Sequence, residues 1–242
     1  MPLRHRDVLH AWMLSDTILR RRCESIGMLS KRIVREWMFQ SFKHSDPTKR
    51  GYNYYLLIAL GHSKIVHGLG LETKDEASDT LADYFHNVCV PEKVVTDGGG
   101  EFTGEEWERR LSTYHTTKDV TEADHQNQNF AKRNIQTVKN LVHKVLDQTG
   151  CPRNLWCFAV DYCTDVWNHL ANKSHQWRTP LEKIEGHTPD ISKFKLFSFY
   201  NKIKYLDSDI KLLDSCALTR ELVGFEPTKG SQLVYRIIPD SW

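Results

Sequence analysis

The sequence has no apolar run near the ~18 residues that a membrane-spanning helix needs, which excludes a helical membrane protein. Its opening stretch, "MPLRHRDVLHAWMLSDTILRRR", is basic and lacks the apolar core of a signal peptide. Cysteine is sparse: Cys23, Cys89, Cys151, Cys157, Cys163 and Cys216 are the six, and no two form a Cys-x-x-Cys pair. A disulfide scaffold is therefore not indicated, and His5, His10 and Cys23 make no zinc constellation with a following Cys pair. Strong charge of one sign is also lacking, since the formal net charge is +2 and by itself names no partner. What is present is ordinary for a globular chain: 40% hydrophobic and 26% charged residues in 242, enough for one large domain or a domain with a small appendage.

Charge distribution says more than the sum. Up to Arg50 there are eleven Lys and Arg against five Asp and Glu, concentrated in "RRR" at 20–22 and "KRIVR" at 31–35. A solvated basic surface accounts for this, as does a phosphate-contacting or nuclear-import segment. Residues 1–32 are set apart on this basis as a basic N-terminal segment.

Periodicity predicts an alternating order of elements. "RIVREWMFQSF" (32–42) reads as a strand, and "YYLLIALG" with "KIVHGLGL" as a hairpin turning at His62 and Ser63. "TKDEASDTLADYFHNV" (73–88) has helical spacing behind a Thr cap and Glu76, a capping-box pattern. A strand over 93–97, a helix over "TGEEWERRLST" and a short strand near "HTTKDV" follow. Two long helices come next, at roughly 128–147 and 153–171. The fold class is α/β: a mixed five-stranded sheet flanked by helices, in the element order of the ribonuclease H type.

Two stretches carry candidate chemistry. In "EKVVTDGGGEF" (92–102) a β-branched run stops at Asp97 and three glycines, which puts an acid at the carboxyl end of a strand, where open α/β sheets place their ligands. Asp-Gly is also ordinary turn chemistry. In "DHQNQNFAKRNIQTVKNLVHKVL" an apolar stripe of Phe130, Ile135, Val138, Val142 and Val145 backs a face with Lys132, Gln136, Lys139 and His143, and Arg133 beside it. That face is either a solvated helix surface or a row of donors for phosphates and base edges.

On these residues the chain resembles the integrase core of copia-type retrotransposons and their retroviral relatives. "VPEKVVTDGGGEFTGEEW" resembles the stretch around that family's second catalytic Asp. "HQNQNFAKRNIQTVKN" resembles the segment holding its catalytic Glu. "NLWCFAVDYCTDVWN" and "TPLEKIEGHTPDISKFKLFSFY" resemble the stretch after the core, and "RELVGFEPTKGSQLVYRI" the start of a small β-barrel. The likeness runs over roughly 33–238. It implies an integrase catalytic-core-like domain over 33–175 and a linker with a small β-rich, barrel-like unit over 176–242.

The resemblance implies three carboxylates holding two Mg²⁺ or Mn²⁺ ions for an in-line phosphoryl displacement on DNA. Asp97 matches the middle ligand, while Glu101 and Phe102 are expected to brace the turn. The first ligand falls at Glu36, one methylene longer than Asp, and Asp46 is a poorer candidate in a Pro-containing loop. The third falls at Lys132. Two like unit charges 4 Å apart repel by about 4 kcal/mol at an effective dielectric near 20, and a divalent ion roughly doubles that. The expectation is an integrase-like, DNA-binding protein of a transposable element with a degenerate catalytic triad and no tightly bound metal. Lys132, Arg133, Gln136, Lys139 and His143 are the expected nucleic-acid contacts. The alternatives are an active metal-dependent integrase or nuclease using Glu36, Asp97 and another carboxylate, and a non-catalytic protein-interaction module. Partners implied are DNA and a second copy of the chain, with no membrane and no small-molecule substrate, in a nuclear or other intracellular location.

Overall fold

A computed structural model describes residues 36–43, 48, 50–88, 90–96, 98–120, 130–173, 176–206, 217–226 and 234–238. The basic segment before residue 36, Asp46, Asp97 and the polar run 121–129 lie outside them.

"YYLLIAL" has no charge in seven residues, which suits a strand covered on both faces. It forms β2 (Tyr54–Leu60), and its side chains part by alternation. Tyr55, Leu57 and Ala59 join one core, and Leu56, Ile58 and Leu60 the other. β2 pairs antiparallel with β1 (Glu36–Lys43) and with β3 (Val66–Leu71). On the other side of β1, β4 (Lys93–Thr96) and then β5 (Thr117–Val120) run parallel to it. The sheet order is β3-β2-β1-β4-β5, a mixed α/β arrangement of the kind the periodicity predicts.

One face is covered by α1 (Ala77–Asn87) and α2 (Glu105–Thr113), the other by α3 (Phe130–Thr149) and α4 (Trp156–His169). The first turn before α1 winds as a 3-10 helix over Lys74–Glu76, and the Thr73 side chain makes no capping bond. Glu76 reaches back instead to accept from the Glu72 N–H at 2.9 Å, so the expected capping box is displaced by one residue at its receiving end. The predicted stripe of α3 holds: Ile135, Val138 and Val142 are buried, and Val145 packs half-buried beside them.

α4 is not an amphipathic surface helix. Trp156, Cys157, Phe158, Ala159, Val160, Asp161, Cys163, Thr164 and Asn168 are all buried, so the helix is enclosed on nearly every side. It contacts α3, the edge strand β3 and a second sheet. That sheet is antiparallel, with order β6 (Lys202–Leu206), β7 (Ala217–Glu226), β8 (Val234–Ile237). Tyr162 of α4 meets Phe225 of that sheet and, from the segment before it, Phe194 and Phe199, and Lys193 bridges to Asp165 at 2.6 Å.

"TPLEKIEG", one of the stretches that carries the resemblance, is a helix start and stop signal. Thr179 caps α5 (Pro180–Glu185) by accepting from the Glu182 N–H at 3.0 Å, and Glu182 accepts from the Thr179 N–H. Proline occupies the first helical position, and Gly186 closes the helix in the left-handed region at φ 74°. A short α6 (Ser192–Leu196) follows.

Candidate functional site

The site expected from sequence draws on the end of β4 and the start of α3. Asp97 and the side chains of Glu36 and Lys132 are outside the described residues, so their backbone frame is what the structure supplies. The parallel β1–β4 register is Glu36↔Lys93, Trp37↔Val94, Met38↔Val95 and Phe39↔Thr96. Glu36 is therefore level with the first residue of β4. The β1 residue one step beyond Phe39, as Asp97 is one step beyond Thr96, is Gln40. Four residues of strand, about 13 Å, separate Glu36 from it. Glu36, the expected first ligand, is level with Lys93 in this register, and Gln40 is the residue that follows Phe39, the partner of Thr96 at the end of β4. A single sequence could not reveal it, because register depends on pairing between segments that lie more than fifty residues apart.

The turn after β4 is built as expected. Gly98 has φ 74°, a conformation that costs any other residue strain. A Cβ on Gly99 would stand 2.9 Å from Glu101 Oε2, so its hydrogen leaves room for that carboxylate. The Glu101 side chain is only 3% exposed and meets Lys74 Nζ at 3.1 Å. Phe102 is buried edge-on against Trp107, with ring centroids 4.9 Å apart. Both residues are turned into the fold, where they brace the loop.

α3 lies across β1 and β2. Its backbone carries Lys132 in the first turn, and its outer surface presents Arg133, Gln136, Asn140, His143 and Lys144, all exposed. Gln136 Nε2 donates to Asn140 Oδ1 at 3.1 Å, and Lys139 is half-buried. The first acid on this helix is Asp147, which pairs with Arg153 at 3.4 Å. By contrast, a cleft of about 460 Å³ on the α1–α2 side is lined by Asp75, Asp79, Glu101 and Glu106 with Arg110 as its sole cation. Its excess of carboxylates repels a polyanion, whereas the α3 face does not.

Sequence reasoning missed a buried polar cluster behind the sheet. Asp161 of α4 accepts from Tyr55 Oη and from Arg50 Nη1 at 3.2 Å, and the Arg50 guanidinium lies 3.8 Å from the Phe158 ring centroid. Burial and the Asp161 charge push the Tyr55 phenol well up, so it stays a donor. Cys151, Cys157 and Cys163 are buried with their thiols pushed up to about 12 by burial, which leaves them unreactive. This cluster ties Arg50 and β2 to α4.

No protein-family model matches the chain, and no curated protein matches it. Among solved structures it is similar to the HTLV-2 integrase catalytic core domain, a dimeric form in complex with magnesium. Identity is 20%, over 62% of this chain and 96% of that one, with a TM-score of 0.46. That likeness is too distant to carry an argument; the chain's own topology and residues carry it.

Proposed function

We propose that the chain is an integrase-like protein of the polynucleotidyl transferase family, of transposable-element type, that binds DNA without cutting or joining it. The observation that carries this reading is the β1–β4 register. It draws Gln40 level with position 97 at the end of β4, on a sheet crossed by the helix that begins beside Lys132. In an active member, by the resemblance, those three positions hold acids. Here an amide, one Asp and an ammonium occupy them.

The Mg²⁺ or Mn²⁺ that the resemblance implies does not fit this donor set. Hard divalent ions take several anionic oxygens, and of Gln40, Asp97 and Lys132 only Asp97 is an acid. Asp97 alone, beside a lysine, is too little anionic charge. No catalytic step follows from it.

DNA binding rests on the exposed α3 face. Arg133, His143 and Lys144 face outward with Gln136 and Asn140 among them, a mixture that suits phosphate contacts with amides for base edges. Fluorescence anisotropy with a labelled duplex tests it. Binding should weaken steeply with salt, and an Arg133→Ala, Lys139→Ala double variant should lower affinity across sequences and reduce the salt slope by about two units. Unchanged affinity in that variant refutes the interface. A strand-transfer assay with Mg²⁺ or Mn²⁺ tests the catalytic half: the natural chain should be silent, and a Gln40→Asp, Lys132→Glu variant is the form in which any activity should return.

A further inference from the structure

On the sheet face away from α3, beside the turn after β4, the surface is acidic. Residues 72–83 and 101–110 hold nine Asp and Glu against Lys74, Arg109 and Arg110, in a chain of net charge +2. The cleft of about 460 Å³ between α1 and α2 lies on this surface. Ion pairs join its walls: Arg110 reaches Asp79 at 2.6 Å and Glu106 at 2.9 Å, and Lys74 meets Glu101 at 3.1 Å. Asp75 is exposed in the cleft, and its carboxylate has no ion-pair partner among the described residues. Gly100 and Gly104 line the cleft as well, and a Cβ on either would meet nothing within 4 Å. A second backbone can approach these two positions closely.

Acidic residues alone make a solvated face. Trp107 supplies an independent observation. Its indole lines the cleft from within, 1% exposed and edge-on to Phe39 and Phe102, with ring centroids 5.7 and 4.9 Å away. Its Nε1 has no hydrogen-bond partner among the described residues. Buried donors are nearly always paired, so one left over at the wall of a cleft points to an acceptor that enters from outside. An occupant must then bring positive charge for the carboxylates and an oxygen for the indole. A polyanion is repelled here, and a metal ion or a polyamine brings charge without an acceptor. A peptide that contains arginine has both, a guanidinium fork for carboxylates and main-chain carbonyls.

We infer that the α1–α2 cleft docks an arginine-bearing peptide segment of a partner protein. The guanidinium pairs with Asp75 and Asp79, and a main-chain carbonyl beside it accepts from Trp107 Nε1. Asp79 already holds Arg110, so the incoming cation shares that carboxylate and has Asp75 to itself. The site lies across the sheet from α3. It goes beyond the DNA-binding reading and does not rest on it.

The test uses the full chain, ¹⁵N-labelled at tryptophan, with a hexa-arginine peptide and spermine as probes. A Trp107→Phe variant identifies the Trp107 indole resonance. The peptide should move that resonance downfield, as a new hydrogen bond does, and leave the other indoles in place. Spermine, a polycation without a carbonyl, should leave it where it is. An Asp75→Asn, Asp79→Asn variant should lower peptide affinity about fivefold, the effect of two exposed charge pairs. Gly104 is exposed at φ −71°, which any residue adopts, so Gly104→Leu should crowd the cleft without strain and suppress the indole shift. Circular dichroism should show both of these variants folded. A Trp107 resonance that the peptide does not move overturns the assignment, and so does peptide affinity unaltered by the double Asn variant. An equal shift with spermine also overturns it, since that marks a general polycation surface.

Discussion

Asp161 sits where a carboxylate is most dependent on its neighbours, 6% exposed between α4 and the sheet, with Arg50 and Tyr55 as partners. Taking away one member of a buried ion pair leaves the other charge stranded, at a cost of about 3–5 kcal/mol. Asp161→Ala should therefore destabilise the fold by that amount in urea titrations, and Arg50→Met in the same chain should recover much of it. Equal stability of the single and double variants would contradict this account. His67 gives a pH signature. It is 6% exposed, its Nδ1 lies 2.6 Å from the Tyr84 hydroxyl, and burial lowers its pKa from 6.5 to about 4. The folded pKa lies below the unfolded one, so the unfolded chain binds the extra proton between them. His67 thus stabilises fully above about pH 6.5, and that stability is lost as pH falls toward 4, by up to about 3 kcal/mol. His67→Gln should flatten this part of the stability–pH curve; an identical slope in the variant would refute the assignment. Neither residue is legible in the sequence. A lone Asp or His in an apolar stretch has the same local pattern whether it faces water or a partner a hundred residues away.

Edge strand β3 shows how one side chain can substitute for a neighbouring strand. Asn168 of α4 accepts from the Val66 N–H and donates to the Val66 carbonyl, both at 2.9 Å. Asn168→Ala should orphan both groups, at about 1–3 kcal/mol each, and speed amide exchange at Val66. Hydrogen exchange at that amide unchanged from the natural chain would count against the clamp. Elements were the most legible level. β2 follows from an uninterrupted apolar run and β3 from a second, mainly apolar one beyond a turn, and α3 from its stripe. "TPLEKIEG" is legible too, because a cap, a proline and a left-handed glycine are local chemistry. α4 was legible as a helix but not as an enclosed one: Asp161 and Asn168 are buried on the main-sheet side, where Arg50, Tyr55 and Val66 partner them. The β1 register was not legible, because it depends on pairing with β4, more than fifty residues further along the chain.

At the scale of the molecule, α4 is shared between two sheets. Tyr162 meets Phe225 of the smaller sheet, while Phe199 and the Lys193–Asp165 pair fasten the segment before that sheet to the same helix, which also backs the larger sheet. The two sheets should unfold together, with calorimetric and van't Hoff enthalpies in agreement. Two separated endotherms would show that the joint is weaker than its contacts suggest. Titration calorimetry with Mn²⁺ should give no stoichiometric site. Micromolar binding abolished by Asp97→Asn would mean that the carboxylate recruits ligands from elsewhere in the chain.

The two edges of the main sheet differ in a way that bears on assembly. β3 is buried along its whole length and begins under the Asn168 clamp, whereas β5 is short, mostly exposed and bounded by a four-residue ladder. An open fibre grown by strand addition needs two unlike free edges on every copy, one to give and one to receive. This sheet offers one. Copies that add strand to strand through it can meet only like edge to like edge, about a twofold axis, and the assembly is then complete at two.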